Sequence, residues 1–149
     1  MGKPVIFSGI QPTGDLHIGN YLGAIKNWVE LQNSGMYDCF FSIVDLHALT
    51  GNLSAEERHE KTIILAAELI AAGIDPKKST LFVQSHVPGH TELAWMFNCV
   101  TPIAELERMT QYKDKSARQT KNINAGLFTY PILQSADILL YHGTHVPVG

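Results

Sequence analysis

The chain has 149 residues, of which 45% are hydrophobic, 17% charged and 9% aromatic, with a net charge of −3 and a mean hydropathy of +0.01. This balance excludes disorder, collagen and a coiled coil, and a domain of this length buries roughly 70% of the surface its unfolded chain exposes. Neither net charge nor hydropathy announces a nucleic-acid or membrane partner. The N-terminal MGKPVIFSG carries one lysine and a short apolar run, unlike a signal peptide. The longest apolar stretch, residues 63–74, is interrupted by Glu68 and is too short to cross a bilayer. Cys39 and Cys99 form no metal or redox motif and read as reduced core thiols. A cytoplasmic protein is expected.

In chain order, Val5-Ile6-Phe7 reads as a short buried strand running into Ser8-Gly9. Residues 11–20, rich in Gly, Pro, Thr and Asn, read as a loop. Residues 19–32 follow as a helix with Leu22, Ile25, Trp28 and Val29 on one side. The continuous apolar run 39–44, closed by Asp45, suits a parallel strand covered on both faces. Ser54-Ala-Glu-Glu57 is a capping box that opens a long helix ending at Gly73, with Pro76 just beyond. Leu81-Phe82-Val83 is a third strand. This alternation predicts a doubly wound parallel α/β sheet whose ligands bind at the carboxyl edge of the strands, which Gly9 and Asp45 mark.

From His86 the rhythm changes. Two helices are expected, over 91–100 and 102–112, the second with Thr101 as N-cap and Pro102 at its first position. A polar stretch, 113–124, precedes an apolar helix over about 126–141, and Val146-Pro147-Val148-Gly149 reads as the next strand. The division expected is a first half of a nucleotide fold over 1–85, a helical insertion over 86–125, and a pocket helix with the start of the second half over 126–149.

The loop Gly9-Ile-Gln-Pro-Thr-Gly14-Asp-Leu-His17-Ile-Gly19-Asn20 starts at a strand's carboxyl edge and ends at a helix N-terminus. Free N–H groups and the positive helix end favour phosphate there. It is not a phosphate-binding P-loop, because Asp15-Leu16 stands where Lys-Ser/Thr is required, and it is not G-x-G-x-x-G. An ordinary strand-to-helix turn explains it equally well.

Asp137 is the only formal charge between Asn122 and Gly149. A carboxylate in so apolar a helix is costly to bury unless its oxygens find donors. Tyr130, Gln134 and Asp137 stand at i, i+4 and i+7 and share one helix face. They can form the floor of a pocket that reads a polar atom on an aromatic ligand; a core helix whose Asp137 caps a neighbour is the alternative. Residues 108–121 hold Arg108, Lys113, Lys115, Arg118 and Lys121 against Asp114 alone, an excess hidden by the net charge. It suits phosphate groups of a nucleotide or nucleic acid, and a solvated loop as well. Of the remaining histidines, His86 and His90 are separated by Pro88-Gly89 and His142 and His145 flank a glycine, so no metal site is expected.

The segment Phe7-Ser-Gly-Ile-Gln-Pro-Thr-Gly-Asp-Leu-His-Ile-Gly-Asn20 resembles the first signature ("HIGH") of class I aminoacyl-tRNA synthetases, in the form typical of bacterial-type tryptophanyl-tRNA synthetases. Ile43-Val-Asp-Leu-His47, Gly73-Ile-Asp-Pro76, Phe82-Val-Gln-Ser85, Glu105-Leu-Glu-Arg-Met-Thr-Gln111, Lys113-Asp-Lys-Ser116, residues 130–141 and Val146-Pro-Val-Gly149 continue the resemblance along nearly the whole chain. It implies a Rossmann-like catalytic fold, ATP with Mg²⁺, L-tryptophan and tRNA(Trp) as partners, and a homodimer held partly by the insertion. By resemblance, Gln11, Pro12, Thr13, Gly19, Asn20 and Gly149 serve ATP, with His17, Asn20 and Gln11 in catalysis. Asp137, Gln134, Tyr130, Phe7, Gly9 and His47 serve tryptophan. Gln134 stands where many members have methionine, and the Tyr–Gln–Asp spacing also resembles tyrosyl-tRNA synthetases, which keeps tyrosine open. Lys113-Asp-Lys-Ser116 does not take the role of the family's KMSKS loop, which lies further downstream. The family's chain continues about as long again beyond this glycine. The expectation is therefore an N-terminal piece with little activity alone, the alternative being a stand-alone nucleotide- or amino-acid-binding module.

Overall fold

A computed structural model describes residues 2–109 and 124–147. Strands β1 (Val5–Ile10), β2 (Asp38–Ile43) and β3 (Thr80–Val83) form a parallel sheet in the order β1-β2-β3. The register pairs Phe7 with Phe40, Gly9 with Ser42, and Ser42 with Phe82. Because side chains alternate along a strand, Ile6, Cys39, Phe41 and Ile43 share one face of the sheet. Phe7, Phe40 and Phe82 share the other. Both faces are covered, which is why these strands read as apolar runs.

The first face packs against a helical run and a long helix. The run comprises α1 (Ile18–Asn20), a π-helical turn (Tyr21–Ile25) and α2 (Lys26–Ser34); a short α3 (Asp45–Ala48) and the long α4 (Ala55–Ala71) follow. Ile25, Trp28, Leu65 and Leu69 meet Ile6, Phe41 and Ile43 in the main core. Trp28 lies flat on Phe41, with ring centroids 4.8 Å apart and planes 9° from parallel. Buried Gln32 ties α2 to the approach to β3: its amide nitrogen donates to Gly73 O, and its oxygen accepts from Asp75 N and Ser79 Oγ. Gly73 turns the chain there at φ 113°, a conformation that disfavours any side chain.

On the other face lie α5 (Gly89–Val100), α6 (Ile103–Arg108) and α7 (Ala125–Leu140). Ala94, Leu106, Ile132 and Ala136 form a second core among them. Leaving α7, the chain reaches the edge of β1 not taken by β2. Phe7 N donates to His145 O, and Thr144 N and His145 N donate to Val5 O, with a parallel bridge between Ile6 and His145. The order of connections thus reverses at β1, and a crevice opens at the carboxyl ends on either side of it.

Five expectations need correction. The helix expected over 19–32 begins at Ile18, contains a π turn and runs to Ser34. That wider turn rotates Leu22 off the core stripe and leaves it exposed. Pro102, in extended conformation, is the N-cap of α6, while the Thr101 hydroxyl donates back to Phe97 O and closes α5. Helix α6 stops at Arg108, and residues 110–112 of the expected helix lie outside the described residues. Cys39 is buried as expected, but Cys99 is exposed. The final strand is present only as the bridge at His145: Pro147 has no N–H to donate, and Val148 and Gly149 lie outside the described residues.

Candidate active site

The crevice beside β1 holds a cavity of about 340 Å³, within the range of small-molecule sites. Phe7, Gly9, His47, Tyr130, Gln134 and Asp137 all line it, together with Trp28, Val44, Ile138 and Pro147. The six residues expected to serve an amino acid are therefore brought together from β1, α3 and α7. Gly9 is required by close approach, since a Cβ there would stand 2.8 Å from Val44 Cγ1. Phe7 stacks on Tyr141 at 5.5 Å, and His47 lies 4.1 Å from the Tyr130 ring.

Asp137 is 2% exposed, yet its oxygens are well supplied. Oδ2 lies 2.8 Å from His47 Nε2. Oδ1 accepts from Gln84 Nε2 at 2.7 Å and lies 2.6 Å from His90 Nδ1. Burial by itself would raise this carboxyl's pKa, but the hydrogen bonds from His47, His90 and Gln84 and the charge attraction of His47 outweigh it and hold the group below its ordinary value. Asp137 is thus an ionised acceptor in the cavity lining, held by polar side chains. Burial, reinforced by the Asp137 charge, raises the Tyr130 phenol despite its bond from Gln11. The same two causes raise Tyr141. Both phenols therefore stay protonated at neutral pH.

Gln84 and His90 are fully buried members of this cluster that sequence reasoning missed. Gln84 lies just past the carboxyl end of β3, the kind of position where ligands gather, and that signal was available. Its amide orientation is defined because its oxygen accepts from Leu46 N at 3.1 Å. His90 had no sequence signal. Pro88 caps α5 and turns His90 inward, whereas His86 faces solvent. Tyr141, four residues beyond Asp137, continues the helix stripe and bonds His90 Nε2 at 2.9 Å.

The loop after β1 is placed differently. Gln11 Nε2 donates to the Tyr130 hydroxyl at 2.6 Å, so it joins the amino-acid side of the crevice. Pro12 is buried and Thr13 exposed. His17 is the N-cap of the helical run: its Nδ1 accepts from Gly19 N and Asn20 N, while Asn20 Oδ1 accepts from His17 N. An accepting Nδ1 places the proton of the neutral ring on Nε2. Gly19 is exposed and Asn20 half-buried at this helix start. Gly149 and the basic residues 113–121 lie outside the described residues, and Arg108 pairs with Glu105.

Fold and site together define a doubly wound α/β domain with a pocket that carries a buried carboxylate at its topological switch point. The family model for "tRNA synthetases class I (W and Y)" matches residues 1–149. The chain belongs to this family. A tryptophan–tRNA ligase of Clostridium tetani (strain Massachusetts / E88) is 57% identical over 147 residues, covering 99% of this chain and 43% of that protein. Among solved structures, tryptophanyl-tRNA synthetase of Campylobacter jejuni complexed with ADP and tryptophan superimposes with a TM-score of 0.91 at 43% identity, over 97% of this chain and 44% of its own. Tyrosyl-tRNA synthetase of Archaeoglobus fulgidus complexed with L-tyrosine shares the fold, with a TM-score of 0.80 at 20% identity, over 97% and 45% of the two chains. The chain spans less than half the length of these relatives.

Proposed function

We propose that these residues form the amino-acid pocket and part of the ATP site of a tryptophan–tRNA ligase. The observation that carries this reading is Asp137, a buried, ionised acceptor in the lining of a cavity of amino-acid size. An indole is a flat apolar body with one N–H, and a buried carboxylate paired with that N–H rejects ligands lacking the donor by a factor of order 10⁴. Phe7, Gly9, His47, Tyr130 and Gln134 supply the walls. Gln11, Pro12, Thr13, His17, Gly19 and Asn20 are assigned to ATP, with Gly149 completing the set. At the exposed helix start Gly19 N and Asn20 N are taken by His17 Nδ1, which leaves His17 Nε2–H as the donor offered to phosphate.

In the reaction proposed for the whole protein, the tryptophan carboxylate attacks the α-phosphorus of ATP. The bond to the bridging oxygen breaks, pyrophosphate leaves, and tryptophanyl-adenylate results. The acyl group then passes to the terminal adenosine of tRNA(Trp), and AMP leaves. No protein nucleophile takes part, so these residues act by positioning and by stabilising charge at the α-phosphate. Among the described residues no cluster of three His, Cys, Asp or Glu side chains could hold a metal ion; Mg²⁺ would come with the ATP phosphates and offset their charge.

Exposed Trp95, Met96, Val100 and Ile103 on α5 and α6 support a homodimer through the connecting helices. Among the described residues no helix is long and apolar enough to cross a membrane, and a cytoplasmic location fits the proposed role. Separate calorimetric titrations with tryptophan, tyrosine and ATP test this function. Tryptophan is expected to bind best, and Asp137→Asn to weaken it about 10- to 100-fold. Preference for tyrosine would give the site to the tyrosine branch, and binding of ATP alone would favour a nucleotide-binding module.

A further inference from the structure

An aspartate does not fix its own carboxylate plane, because its terminal torsion is broad. Here three side chains from three elements fix it. Oδ1 receives two bonds, from Gln84 Nε2 at 2.7 Å and from His90 Nδ1 at 2.6 Å. Oδ2 receives one, from His47 Nε2 at 2.8 Å. An ionised carboxylate has roughly four acceptor sites, so Oδ1 is saturated and one site remains on Oδ2.

The donor role of His90 is itself determined. An ionised carboxylate only accepts, so the His90 Nδ1 that lies 2.6 Å from Asp137 Oδ1 is the donor; the Tyr141 hydroxyl, 2.9 Å from Nε2, can donate to that nitrogen and so favours the same form. The neutral ring then carries its hydrogen on Nδ1, facing Asp137, and accepts from Tyr141 at Nε2. His90 is 0% exposed and does not line the cavity, so it reaches a ligand only through Asp137. Tyr141 is held in turn by ring contacts with Phe7, Phe40 and Phe82. His47 is fixed less firmly, since its Nδ1 is buried with no partner among the described residues.

We propose that His90, set in its Nδ1–H form by Tyr141, is a positioning residue for specificity: it saturates Asp137 Oδ1 and leaves the free acceptor site of Oδ2 for the ligand's N–H. This rests on the reading of Asp137 as the indole acceptor. Loss of His90 would let the carboxylate turn toward Gln84 or His47 and blur the distinction between a ligand that donates and one that does not.

The test compares calorimetric affinities for tryptophan and for its benzothiophene isostere, in which sulfur replaces the N–H, in the protein as it is encoded. The wild type is expected to prefer tryptophan strongly. His90→Leu should reduce that preference about tenfold or more, mostly by weakening tryptophan. His90→Asn, whose amide nitrogen stands near the place of Nδ1, should restore most of it. Tyr141→Phe keeps the ring contacts and removes only the hydroxyl, so it tests the relay even if His90→Leu fails to fold; a several-fold loss of preference is expected. A large wild-type preference that persists in folded Tyr141→Phe and His90→Leu would overturn the proposal alone. A wild-type preference near one would overturn the Asp137 reading and this proposal with it.

Discussion

Asp137 is bonded on both oxygens by side chains that stand 90, 53 and 47 residues away in sequence. Its depressed pKa has a consequence for acid stability. An aspartate titrates near 3.9 in an unfolded chain; one whose folded value lies lower contributes stability that is complete above about pH 5 and is lost as pH falls through the folded value. The difference in unfolding free energy between wild type and Asp137→Asn should therefore narrow as pH is lowered below about 4. Urea midpoints measured between about pH 6 and pH 2.5 would show it, and a constant gap would argue that the carboxylate is not ionised in the fold. Tyr130, Gln134 and Asp137 were legible because one helix period brings them to one face. Gln84 and His90 were not, because their meeting with Asp137 depends on how three separate elements are docked.

At the scale of elements, local chemistry was largely readable. The Ser54 hydroxyl accepts from Glu57 N while Glu57 Oε2 accepts from Ser54 N, and α4 begins where that motif says it should. Two substitutions separate cap from core in this helix. Ser54→Ala should cost about 1 kcal/mol, whereas Leu69→Ala, at a side chain with no exposure in the main core, should cost about 2–5 kcal/mol. Chemical denaturation of both variants checks the ranking; equal losses would mean that α4 owes its stability to its start and not to its buried face. The π turn at Tyr21–Ile25 was not readable, since the apolar spacing fits an α-helix and only packing favours the extra residue. The exchange of roles at Thr101 and Pro102 is of the same kind: either residue suits a cap, and the fold selects which helix the threonine closes.

At the scale of the molecule, two features matter. Residues 144–147 return to the edge of β1 opposite β2, which creates the crevice that houses the cavity. The helices on the far face carry Trp95 at 71% exposure, with Val100 and Ile103 exposed further along the chain. If this face joins two copies, Trp95→Asp should convert dimer to monomer in sedimentation equilibrium while leaving the near-ultraviolet signature of the core in place. A wild-type monomer at micromolar concentration would remove that assignment.

The sequence by itself determined the α/β alternation, the long capped helix, and the gathering of Tyr130, Gln134 and Asp137, because each follows from a local period or a cap motif. It also carried the family, through ordered segments spread over the chain. Only the tertiary structure decided that Gln11 turns to Tyr130, that His17 caps its own helix, and that Gln84, His90 and Tyr141 stand behind Asp137. The physical reason is one of range. Helix periods and caps act over a few residues, whereas a buried carboxylate must find its donors wherever the packed elements bring them.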